Sequence, residues 1–197
     1  MPGISYEGSQ TVDRTKLPGH DLEPKVSEFG FGGELHRGLS WPTSDGGSTS
    51  SSPVHQRVYG SGEDPTPWEA LRQLEETLEL PGELSDYHFA IQGVYEAVYK
   101  RRREDLSLLE ETERLCWLDI ELIEAYPETV ATGHENLPYA HVVAYRRLVT
   151  LYEGEGYFRE ALEVAQRGLR IGQKHLSQDA ERLRFILQEL GAEDVGR

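Results

Sequence analysis

Residues 142–171 read VVAYRRLVTLYEGEGYFREALEVAQRGLRI. Apolar side chains recur there at helical intervals in two runs: Tyr145, Leu148, Val149 and Tyr152, then Phe158, Ala161, Leu162, Ala165 and Leu169. Between them, Gly154, Glu155 and Gly156 turn the chain. Each run is too short to persist alone in water, so packing must hold it. Ala161 and Ala165 are small and one turn apart, which lets the two helices approach closely, and Tyr145, Leu148 and Tyr152 fill the space between them. An antiparallel pair is expected, with helices over 139–153 and 157–171 and Gly172 as the C-terminal cap.

The same pattern extends toward the N-terminus. At Thr66, Pro67, Trp68 and Glu69 an N-cap Thr, a Pro in the first helical position and a Glu placed for a capping box open a helix that Pro81 and Gly82 end. A second helix starts near Ser85 and Asp86, carries Tyr87, Ile91, Val94, Tyr95, Val98 and Tyr99, and ends in Lys100, Arg101, Arg102 and Arg103, cations where the helix dipole favours them. Glu104 and Asp105 open a third helix over 104–125, whose wide apolar arc asks for neighbours on two sides. Pro127 stops it, and residues 132–138 read as a loop. A sixth helix over 177–190 is closed by Gly191. The expected fold class is all-α: about six helices in antiparallel hairpins over 64–197, preceded by a disordered N-terminal arm.

That arm, residues 1–63, holds 11 of the 20 glycines and a Ser/Thr/Gly tract over 43–52. So few apolar groups bury too little surface to offset chain entropy. The stretch 28–41 is denser, with Phe29, Phe31, Leu35, Leu39 and Trp41. It reads either as a linear motif that docks on a partner or on the chain's own domain, or as sticky residues in a linker. Its glycines follow no strand and precede no helix, so they make no dinucleotide fingerprint.

The chain has 197 residues and a formal net charge of −15. Nucleic acid and anionic membrane surfaces repel such a chain, so neither is an expected general partner. The lone Cys116 makes no intramolecular disulfide and suits a reducing interior; mid-helix on an apolar arc, it reads as a small buried hydrophobe. No run of 18 apolar residues is present, and MPGISYEGSQ has neither a basic nor an apolar leader region, so no membrane span or secretory signal is expected and the location expected is cytoplasmic. No P-loop, HExxH, GxSxG or CxxC occurs. The seven histidines lack metal-ligand spacing, and Glu110, Glu111 and Glu113 read as a solvated helix face. No enzymatic activity, catalytic residue, cofactor or metal is expected.

The segment 142–171 resembles a tetratricopeptide repeat: Tyr145, Leu148 and Tyr152 on the first helix, Gly156 at the turn, Phe158, Ala161 and Ala165 on the second. Gly168 stands where the repeat has a small Ala. Residues 87–123 resemble a degenerate copy through Tyr95, Tyr99, Leu108 and Leu115, and the sixth helix resembles a solvating cap. The resemblance implies a protein-binding module with a concave face lined by the first helix of each pair. That face would carry Val143, Arg146, Thr150 and Glu153 on one helix, and Ala90, Gly93, Ala97 and Lys100, with Tyr99 and Arg101 beside them, on the other. Family members that grip a chaperone's C-terminal carboxylate use Lys and Asn at these places; here only Arg146 and Lys100 supply a cation, and no Asn is present.

The expected function is therefore a non-enzymatic adaptor or scaffold that binds a protein partner's peptide or helix. Residues 100–103 offer a dock for an acidic peptide, a C-terminal carboxylate or a phosphate, which Arg146 and Arg147 extend if the helices stack; otherwise they only compensate the dipole and pair with Glu104 and Asp105. Two alternatives stay open. The arm docks on the helical domain of its own or a second copy, giving autoinhibition or a homo-oligomer, or the 100–103 cluster meets nucleic acid.

Overall fold

The computed structural model describes residues 12–31, 34–60, 65–134 and 137–191. Among them the fold is predominantly helical with few short strands, the all-α class expected. Seven α-helices are present: α1 (Pro53–Gly60), α2 (Pro67–Leu78), α3 (Leu84–Lys100), α4 (Ser107–Ala125), α5 (Val143–Gly154), α6 (Phe158–Arg170) and α7 (Ser177–Glu189). The strands are β1 (Lys25–Phe31), β2 (Glu34–Pro42), β3 (Ser48–Thr49), β4 (Ala131–His134) and β5 (Leu137–Tyr139). The chain divides inside α3 into two compact units, one ending at Ala97 and the other starting at Val98. The sequence places a composition boundary near residue 63.

In the first unit, residues expected to form a disordered arm carry regular structure. β1 and β2 form an antiparallel hairpin in which Phe29 pairs with His36 and Phe31 with Glu34, and β3 joins β2 through Trp41 opposite Thr49. Three widely spaced anchors make this fold: Leu17, Trp41 and Val54 are each at most 8% exposed. Polar links reinforce them. The buried Ser52 hydroxyl accepts from the His55 amide (3.0 Å) at the start of α1 and donates to Asp86 Oδ2 (2.6 Å) in α3. Asp86 also accepts from the Glu83 amide at 3.2 Å, and Arg57 of α1 pairs with Glu76 of α2. The turn between α2 and α3 runs so close to α1 that a Cβ on Gly82 would meet Val54 Cγ2 at 2.6 Å.

On α2, Leu71, Leu74 and Leu78 are buried, as are Tyr87 and Ile91 on α3. The expected capping box is present: the Glu69 amide donates to Thr66 Oγ1 (3.3 Å) and the Thr66 amide to Glu69 Oε2 (2.9 Å). Tyr87 donates to the Leu80 carbonyl at 2.7 Å, and burial pushes its phenol up to about 12.

In the second unit, α4, α5, α6 and α7 pack in chain order. A three-residue connection, Glu155 to Tyr157, reverses the chain between α5 and α6. Gly156 adopts φ +82°, the Tyr157 amide donates to the Tyr152 carbonyl (2.8 Å) and the Gly156 amide to Glu153 (3.1 Å). This doubly bonded C-terminal cap needs a left-handed residue. Gly172 repeats it at the end of α6 with φ +87°, as the sequence predicts. Ala161, Ala165, Tyr145 and Leu148 are completely buried, the close approach expected from their sizes. Cys116 is buried on α4 as expected. Among the described residues no helix is long and apolar enough to cross a membrane.

Two glycines should respond oppositely to an added methyl group. A Cβ on Gly168 would collide with Leu176 Cδ1 and come within 3.1 Å of the Tyr145 ring, and both neighbours are buried. Gly168→Ala should destabilise by about 1–3 kcal/mol. A Cβ on Gly93 would meet nothing within 4 Å, so Gly93→Ala in mid-helix should stabilise by about 0.5–1 kcal/mol. Urea unfolding of both variants checks the signs.

Candidate protein-docking site

The second unit places cations on an aromatic ring. Tyr99 lies in the last turn of α3, where the chain begins to leave the helix. Arg102 folds back, donating from Nη1 to the Tyr99 carbonyl at 2.8 Å, and its guanidinium carbon lies 3.9 Å from the Tyr99 ring centroid. Arg147 reaches the same ring from α5, also at 3.9 Å. Two guanidiniums thus share one half-buried phenol, each gaining about 0.5–1 kcal/mol from the ring face while repelling the other. Lys100 and Arg103 stand exposed on either side in sequence. Arg101 is engaged with Glu104, Nε to Oε2 at 3.0 Å and Nη2 to Oε2 at 2.9 Å.

The expected contact residues divide. Tyr99, Lys100 and Arg101 belong to this cluster. Ala97 belongs to the first unit, where with Ala70, Leu74, Ala90, Gly93 and Val94 it lines a cleft of about 270 Å³ between α2 and α3. On α5, Val143 is half-buried and Arg146 and Thr150 are exposed, with Thr150 Oγ1 donating to the Arg146 carbonyl at 2.9 Å. Glu153 is engaged by Arg182 of α7, which also holds Asp179 at 3.0 Å. In the expected linear motif, Trp41 is buried in the core of the first unit and Leu39 is half-buried. The side chains of Phe29, Phe31 and Leu35 lie outside the described residues.

Behind α5 a polar network ties three helices. Glu124 of α4 accepts from Tyr145 OH (2.9 Å) and from Arg167 of α6 through Nε (2.6 Å) and Nη2 (2.7 Å). Burial pushes the Glu124 carboxyl up, but the bonds from Arg167 and Tyr145 outweigh it and hold it below the usual range. Those bonds to Glu124 raise Arg167, while burial first, and then the Glu124 charge, raise the Tyr145 phenol. Higher on the same helices, Trp117 Nε1 donates to Tyr152 OH at 3.0 Å, and Tyr152 donates to Glu113. Glu113 is therefore more than the solvated charge expected from sequence. Burial, then the bond to Glu113, pushes the Tyr152 phenol up to about 12. Trp117, Tyr152, Arg167 and Arg170 line a cavity of about 330 Å³.

Sequence reasoning also missed a pair of histidines. His141 and His175 lie far apart in the chain, yet their ring centroids are 3.9 Å apart. Burial, His141 and Arg146 together hold His175 below the ordinary imidazole value. Among the described residues no three His, Cys, Asp or Glu side chains converge.

A scan against protein-family models, a search of curated proteins and a search of solved structures each return no match.

The Glu124 network makes a pH-dependent prediction. A carboxyl depressed in the folded state stabilises fully above its ordinary value of 4.5, and that contribution fades as pH falls through the depressed value. Glu124→Gln should cost about 1–3 kcal/mol at neutral pH. The gap to the parent protein should narrow as pH drops below 4.5. Chemical unfolding across that range tests it; a constant gap would separate Glu124 from the acid limb.

Proposed function

We propose that the chain is a non-enzymatic protein-interaction module of tetratricopeptide-repeat type that docks an acidic segment of a partner protein on the Tyr99–Arg102–Arg147 patch. One observation carries the reading: two guanidiniums from different elements are held on one aromatic ring in a chain of net charge −15. A partner carboxylate beside these guanidiniums would make charge-assisted bonds, which are roughly twice as strong as neutral ones. Arg102 and Arg147 supply the fork, Tyr99 orients it, and Lys100 and Arg103 attract the rest of an acidic peptide.

The repeat reading draws on the packed pair α5–α6, with Ala161 and Ala165 at the close approach and Gly156 at the turn. In that setting Arg146 and Thr150, exposed on α5, extend the contact surface. Arg101 and Glu153, engaged by Glu104 and Arg182, serve it structurally. A cytoplasmic setting suits the single thiol of Cys116. Trp41, buried in the first unit, belongs to the fold and does not act as a free ligand for a second copy.

Binding of a fluorescent Glu-rich peptide to the full chain tests the proposal. Arg147→Glu and Lys100→Glu should each weaken it about 10-fold or more and lessen its salt dependence, because a charge pair is converted to a like-charge contact. Tyr99→Leu should weaken it while leaving helix content unchanged. Equal affinity in all three variants, or tighter binding of single-stranded nucleic acid than of the peptide at low salt, would overturn the reading.

A further inference from the structure

One face of α6 carries its charges in order. Glu160 and Glu163 stand near its start, Val164 follows, and Arg167 and Arg170 stand near its end. All five line the cavity of about 330 Å³, together with Trp117 of α4 and Tyr152 of α5. Small-molecule sites begin at about this size. The cavity lies wholly within the second unit.

Its middle is fixed by the fold. Trp117 Nε1 donates to Tyr152 OH at 3.0 Å, Tyr152 OH donates to Glu113, and the Arg167 guanidinium carbon lies 5.1 Å from the Trp117 ring centroid. Its ends are left to solvent. Glu163 and Arg167 are four residues apart, the spacing at which a helix pairs opposite charges. Arg167 instead turns Nε and Nη2 to Glu124, so Glu163 loses that partner and has the like charge of Glu160 one turn before it. Glu160, Glu163 and Arg170 are exposed, and among the described residues none of the three enters an ion pair. The two ends differ in sign: the Glu160 charge helps to raise the Tyr152 phenol, and the Arg170 charge helps to hold Glu124 down.

We infer that this cavity binds an ω-amino carboxylate: an ammonium and a carboxylate joined by an alkyl stem. The ammonium sits between Glu160 and Glu163, the stem lies along Trp117 and Val164, and the carboxylate meets Arg170 and the remaining Nη1 of Arg167. A simple cation would be repelled at the arginine end and a simple anion at the glutamate end, so both charges are needed in one ligand. The lengths agree. Glu163 and Arg170 are seven residues apart, about 10.5 Å along the axis, and their inward-reaching side chains shorten that gap. A stem of six bonds of about 1.5 Å spans roughly 7–8 Å when extended. Two sources supply this chemistry: a free alkyl amino acid, or a lysine at the C-terminus of a partner chain, whose α-amino group is tied up in a peptide bond. The cavity shares no residue with the Tyr99 patch, and neither reading depends on the other.

The test follows the indole N–H resonance of Trp117, assigned with Trp117→Phe, during titration of the intact chain. 6-Aminohexanoate and Nα-acetyl-lysine should shift it saturably. Hexanoate and hexylammonium, which each keep one end, should bind about 10-fold more weakly or worse, the worth of a hydrogen bond to a charged group. Tighter binding of Nα-acetyl-lysine assigns the site to a chain end; tighter binding of 6-aminohexanoate assigns it to a free amino acid. Glu163→Gln and Arg170→Gln should each weaken both zwitterions by a similar factor and keep the parent's circular dichroism, because both side chains are exposed. The one-ended analogues act on the unaltered protein, so they decide the matter even if a variant folds poorly. No shift with either zwitterion, equal affinity for a one-ended analogue, or undiminished binding in a well-folded variant would overturn the inference.

Discussion

Tyr145 is completely buried, and a phenol placed there must find an acceptor. The acceptor is Glu124, itself a charge that half-burial would penalise, and the two-toothed grip of Arg167 offsets that penalty. Three helices meet in this arrangement: α4 gives the carboxylate, α5 the phenol and α6 the guanidinium. It also sets their spacing. The Tyr145 ring can reach Glu124 only if α6 leaves room beside it, which Gly168, Ala161 and Ala165 provide. Small residues on α6 and a large hydroxylated one on α5 are thus two halves of one constraint.

That constraint explains why the α5–α6 pair is legible in sequence. Its apolar groups are contiguous, their period is helical, and its turn needs glycine for a definite backbone reason. The caps at Thr66 and Gly172 are legible likewise, since each satisfies local orphaned amides or carbonyls. The first 60 residues are not, and the reason is physical. Leu17, Trp41 and Val54 each sit alone among polar or glycine-rich neighbours, so no window of sequence carries a period. Their value comes from what they meet across the chain, as when Ser52 and Asp86 join α1 to α3. Composition measures how much apolar surface a segment owns, whereas burial depends on where the rest of the fold puts it. The histidine pair escaped for the same reason: His141 and His175 are far apart in sequence, and only the fold brings their rings together.

The basic cluster at 100–103 was legible as a cluster but not in its parts. Lys100 is the last residue of α3, and Arg101 pairs with Glu104 three residues on. For these two, dipole compensation and local pairing suffice. Arg102 and Arg147 are different. A helix C-terminus gives no reason for two cations from separate elements to converge on Tyr99, and no local sequence rule places Arg147 there. Dipole compensation and local pairing therefore cover Lys100 and Arg101 and leave Arg102 and Arg147, which the fold brings to one ring.

A basic patch on an acidic chain discriminates by range. At physiological ionic strength, charges are screened beyond about 8 Å, so a short acidic segment that enters the patch meets mainly Arg102, Arg147, Lys100 and Arg103. An extended polyanion cannot confine its charge to that radius, and its remainder faces a surface whose net charge is −15. On the proposed reading, the same residues that would serve a nucleic-acid binder on a basic protein would select here against long polyanions and for compact acidic ones. Charge count would decide which polymers are repelled, and the geometry around Tyr99 would decide which short anion is held. An acidic peptide would satisfy both, its few carboxylates facing the two guanidiniums that share one ring.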